Sequence, residues 1–79
     1  MLSYEQCRLI AHEKAEHYNT ALGKSYKLGN DYVFEAVEEF VGVFPTVVST
    51  ENGSTLPLWT YLNEKDLSMD DMQEIPVEK

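Results

Sequence analysis

The strongest constraint in this 79-residue sequence is the dipeptide Asn52-Gly53, which separates two apolar and β-branched runs, Val43–Thr50 and Ser54–Tyr61. Asn-Gly suits a two-residue type I′ turn, whose twist matches that of paired antiparallel strands. Strands are therefore expected at about 43–50 and 54–61. In that register Val47 faces Leu58 and Ser49 faces Leu56 on one side, with Thr46 opposite Trp59 on the other. Pro45 and Pro57 cannot donate to a ladder, so each belongs at an edge, a bulge or a strand end.

A lone hairpin is marginal in water and needs a cover. The first twenty residues supply one. Ser3 followed three residues later by Gln6 has the pattern of a capping box, and Leu2 and Cys7 fall at the two positions of a hydrophobic staple. At about 100° per residue, Tyr4, Cys7, Ile10, Ala11, Ala15, Tyr18, Ala21 and Leu22 share one face. Only Lys14 interrupts that stripe, and its stem can run along the apolar surface while the ammonium reaches water. With Gly23 as the residue after the last turn, the helix is expected over about 4–22.

Residues 24–42 fit two periods. Read with period two, strands at about 25–28 and 32–37 flank a Gly29-Asn30-Asp31 turn. Read with period 3.6, Asp31 caps a helix that buries Val33, Ala36, Val37, Phe40 and Val41 and ends at Gly42. Over 32–41 both remain open. We take strand for 32–37, because a helix needs a sheet to cover and the downstream hairpin supplies only two strands. Beyond Asn63, Ser68 is placed to cap a short helix at about 69–75, which Pro76 would end. The fold class expected is α+β. It consists of an N-terminal amphipathic helix packed on a three- to four-stranded antiparallel sheet, with a short C-terminal helix, in a single domain.

The order of a helix, then strands, then the phrase Phe44-Pro45-Thr46-Val47-Val48-Ser49-Thr50-Glu51-Asn52-Gly53 resembles the small bacterial α+β modules of the PepSY type and some toxin-immunity proteins. The resemblance covers residues 5–58. It implies a helix on an antiparallel sheet and binding or inhibition without catalysis, and it carries over no functional residue.

Charge narrows the partners. Six Lys and Arg against fourteen Asp and Glu give a net charge of −8, which opposes phosphate backbones and anionic lipid, so neither nucleic acid nor membrane is expected as a partner. The imbalance is local as well, since no Lys or Arg lies between Lys27 and Lys65. The single Cys7 excludes an intrachain disulfide, and residues 1–6 lack the basic and apolar regions of a leader, so a cytoplasmic location is expected.

The residues that carry chemistry assemble no familiar site. His12 and His17 are five apart, about 140° around a helix, so they cannot share an ion, and each i, i+4 pair (His12 with Glu16, Glu13 with His17) offers only two ligands. Asp66, Asp70 and Asp71 lack the alternating ligands and central Gly of a calcium loop. Cys7 sits on the apolar stripe and reads as a small hydrophobe. No catalytic residue, cofactor or metal is expected, and the chain is read as a non-enzyme. Its candidate partner-binding residues are Glu35, Glu38, Glu39, Asp70 and Asp71, as a one-signed surface, with Trp59 and Tyr61, two apart and expected on one sheet face. The expected partner is a basic protein, met by an immunity-type antagonist. The alternative is a structural or regulatory homodimer joined by a sheet edge or by the face bearing Trp59 and Tyr61.

Overall fold

The start of the first helix follows the sequence pattern. In the computed structural model, which describes residues 1–37 and 44–75, Gln6 N–H donates to Ser3 Oγ at 3.2 Å and Ser3 N–H donates to Gln6 Oε1 at 2.9 Å. Helix α1 runs Tyr4–His17. Leu2 packs against the same cluster as the buried Cys7, which completes the staple. Lys14 is half-buried and its Nζ donates to Thr55 Oγ1 at 3.0 Å, so its stem lies along the sheet as expected.

The helix ends earlier than Gly23 suggests. Asn19 takes φ +58°, its N–H donates to Glu16 O, and Thr20 N–H donates to Ala15 O. That pair of bonds is a Schellman motif, and Asn is the non-glycine residue best able to occupy its left-handed position. Leu22, expected on the helix, instead opens β1 (Leu22–Leu28), which includes Gly23. Two residues there, Gly23 and Lys24, oppose Glu35 alone in a bulge.

Strand β2 (Asp31–Ala36) settles the ambiguous segment as strand as far as Ala36. It joins β1 through the two-residue loop Gly29-Asn30, in which only Gly29 has positive φ (+63°), the pattern of a type II′ turn. Strand β3 is Thr46–Val48 and β4 is Thr55–Pro57, so both are shorter than expected. They pair Thr46 with Pro57, Val47 with Leu56 and Val48 with Thr55, a register two residues from the expected one. The cause is the loop. Asn52 does not take positive φ; its Oδ1 accepts from Ser54 N–H at 3.0 Å while Gly53 (φ +75°) donates to Ser49 O, so four residues rather than two make the turn. A shift of two keeps every side chain on its face.

The largest departure follows β4. The expected strand over 54–61 stops at Pro57, and Leu58–Lys65 forms helix α2, whose first N–H, that of Leu58, donates to Pro45 O at 3.0 Å. In place of the expected helix at 69–75 there is a 3-10 turn, Met69–Asp71, and a strand β5, Gln73–Ile75. Ser68 still caps as expected, its Oγ accepting from Asp70 N–H at 3.3 Å. A helix of one or two turns is marginal on its own, whereas β5 gains a ladder along the open edge of β1.

The sheet has five antiparallel strands in the order β4-β3-β2-β1-β5. Its two faces bury alternate residues. On one face Phe34 and Val48 pack with Cys7 and Ala11 of α1, and Tyr4 stacks on Phe34 with ring centroids 5.8 Å apart. On the other, Leu28, Val33 and Val47 pack with Leu58, Tyr61 and Leu62 of α2. The molecule is therefore one sheet with a helix on each side.

Candidate functional site

Side chains of alternating strand residues divide the charge as well as the core. Asp31, Val33 and Glu35 share the α2 side of β2, and Glu74, opposite Tyr26, is on that side too. Leu67 and Met72 pack against the α2-side core, so the turn between them, with Asp70 and Asp71 exposed, belongs to the same side. Glu64 and Asp66 are exposed on and just after α2. Among the described residues the bases on this side are Lys24, which pairs with Glu74 at 3.5 Å, and Lys65. Lys14 and Lys27 lie on the α1 side.

Trp59 stands on this acidic side. Leu58, Tyr61 and Leu62 turn inward at i, i+3, i+4, which leaves Trp59, Thr60, Asn63 and Glu64 outward, and Trp59 is 59% exposed. Trp59 and Tyr61, expected on a common sheet face, are thus separated by the helix. Tyr61 is only 5% exposed and contributes by anchoring. Its hydroxyl donates to Asp31 Oδ2 at 2.7 Å, and burial followed by the Asp31 carboxylate pushes its phenol up to about 12.

Asp31 is the centre of this anchoring. Its Oδ1 accepts from Thr50 N–H at 2.9 Å, and Thr50 Oγ1 lies 3.0 Å from Asn30 O and 3.3 Å from Asp31 Oδ1. Asp31 read in the sequence only as a turn or cap residue. What joins it to Thr50 and Tyr61, 19 and 30 residues away, is tertiary and has no local pattern. Cys7, with its thiol pKa raised by burial and then by the Asp31 charge, is a poor nucleophile where it sits.

Of the remaining predicted residues, Glu35 is half-buried and its Oε1 accepts from Tyr26 OH at 2.9 Å; burial and then Glu35 raise the Tyr26 phenol. Asp71 Oδ2 accepts from Ser68 N–H at 3.0 Å. Glu38 and Glu39 lie outside the described residues. His12 Nε2 and Glu16 Oε1 are 3.1 Å apart on the exposed face of α1. Among the described residues no group of three or more His, Cys, Asp or Glu is placed to hold a metal ion, and no helix is long and apolar enough to cross a membrane. No protein-family model matches this chain, and no curated protein or solved structure matches it.

Proposed function

We propose that this chain is a non-enzymatic, acidic protein-binding module that holds a basic protein on the α2 side of its sheet. The observation that carries the reading is the exposed Trp59, which shares that side with Glu35, Glu64, Asp66, Asp70, Asp71 and Glu74. An exposed Trp on an anchored helix is the kind of residue that dominates an interface, and a one-signed rim speeds encounter with an oppositely charged surface. The sharper form is an immunity-type antagonist whose carboxylates meet the basic surface of a toxin, and the resemblance of the 44–53 phrase to immunity proteins supports it. The buried free thiol of Cys7 suits a reducing cytoplasmic compartment.

Capture of partners from the native host, at about 50 and 300 mM salt, tests this. Wild type should retain a basic protein, less of it at the higher salt, and Trp59→Ala should lose it by about thirtyfold in affinity, as for an interface hot spot. Equal retention by Trp59→Ala removes the reading. Light scattering that finds a dimer, dissociated by the same substitution, replaces it with the homodimer.

A further inference from the structure

We infer that Thr50 and Asp31 form a latch that couples the seating of α1 on one face of the sheet to the seating of α2 on the other. Leu2, the residue before the cap of α1, donates its N–H to Thr50 O at 2.6 Å. Thr50 is buried, and its own N–H donates to Asp31 Oδ1 at 2.9 Å. The second carboxylate oxygen, Oδ2, accepts from Tyr61 OH at 2.7 Å in the middle of α2. Three hydrogen bonds thus run in series from the entrance of one helix to the inward face of the other, passing through the end of the sheet.

The series is coupled because its central member is a charge. A half-buried carboxylate keeps its solvation from the donors around it, and a bond to a charged acceptor is worth more than a neutral one. When Tyr61 leaves, Asp31 regains a donor for Oδ2 only by turning toward water, which draws Oδ1 away from Thr50 and loosens the strut under Leu2. Released at the other end, Thr50 weakens the seat of Tyr61 by the same route, since coupling between two sites is reciprocal. The Asp31 charge also acts on the Cys7 thiol in the first turns of α1, which places it within electrostatic reach of both layers. The latch concerns the two helices alone and holds whatever α2 contacts.

Each layer carries one reporter, the single Cys7 on α1 and the single Trp59 on α2. Cys7 is fully buried, so its alkylation by iodoacetamide under native conditions, followed by mass spectrometry, measures how often α1 opens. Tyr61→Phe removes one hydroxyl from the far face and leaves the Asp31 charge in place. It should speed alkylation about tenfold, the size expected for one hydrogen bond to a charged acceptor. Thr50→Val keeps both backbone bonds but removes the hydroxyl that lies 3.0 Å from Asn30 O and 3.3 Å from Asp31 Oδ1, and by loosening Asp31 should speed it several-fold. Leu67→Ala loosens the α2-side core without touching Asp31, and should leave alkylation within twofold of wild type. An alkylation rate that Tyr61→Phe leaves unchanged, or that Leu67→Ala raises as much as Tyr61→Phe does, overturns the latch.

Discussion

The two helices occupy opposite faces of one sheet and are built by different means. Helix α1 has both ends specified by its own residues, a capping box at Ser3 and Gln6 and a Schellman turn at Asn19. Its inward face is small (Cys7, Ala11, Ala15), so Phe34 and Val48 of the sheet fill the space between. Helix α2 has no side-chain cap at its start and is only eight residues long, too short to persist without what it packs on. It is held by Leu58 and Leu62, by Tyr61 on Asp31, and by one backbone bond to Pro45. A helix with good ends announces itself in sequence, and a helix made by its contacts does not.

That contrast can be broken most sharply in the layer under α1. Phe34→Ala should cost about 3 to 5 kcal/mol in urea unfolding, a large share of the total stability of a small domain. If it costs under 1 kcal/mol, the small inward face of α1 is not resting on that ring.

Alkaline titration probes the other layer. The Tyr61 phenol, raised to about 12 by burial and then by Asp31, holds its proton in the folded state where an unfolded Tyr, at about 10, has lost it. Its contribution is whole below about pH 10 and disappears as pH rises through about 12, a loss of about 2 to 3 kcal/mol. Urea midpoints measured between pH 9 and 12 should fall, and Tyr61→Phe should make the fall shallower. A residual slope is expected from Tyr26 and Cys7, whose pKa values are also raised.

Gly53 and the caps give smaller effects. A Cβ at Gly53 would meet Ile10 Cδ1 at 2.9 Å and Leu2 Cδ1 at 3.2 Å, at a φ of +75°. Gly53→Ala should therefore cost about 1 to 3 kcal/mol, felt at the entrance of α1. Ser3→Ala removes the α1 cap and should cost about 1 kcal/mol. Asp66 closes α2 in the left-handed region at φ +53°, so Asp66→Gly should stabilise by about 0.5 to 1 kcal/mol, and a thermal melt that moves down instead would mean that its carboxylate does more than end the helix.

How much of this was legible follows the same division. The cap and the staple were readable because each depends on residues a few positions apart, and the lie of the Lys14 stem because Lys14 alone interrupts the apolar stripe of α1, although its partner Thr55 is distant in sequence. The end of α1 lies at Asn19 rather than at Gly23 because Asn also fills the left-handed position, a stop that the apolar stripe running on through Ala21 and Leu22 conceals. In the second half a clue was present in the apolar spacing itself. From Leu58 onward, the spacing Leu58, Tyr61, Leu62 is helical. Eight residues after a proline are too few for that period to compete with a strong hairpin signal. The acidic surface was visible as composition, but its gathering on the side of Trp59 depends on strand parity and on where Leu67 and Met72 land, which only the folded sheet fixes.

The strand order β4-β3-β2-β1-β5 has a consequence for the chain as it folds. Four strands and α1 are complete at Pro57, so the layer holding Phe34 and Val48 can close before residues 58–75 have docked. Leu28, Val33 and Val47 meanwhile wait uncovered until residues 58–75 cross the sheet from one edge to the other. During that interval the folding chain presents a greasy flank, and the speed with which residues 58–75 dock sets how long chaperones have to find it.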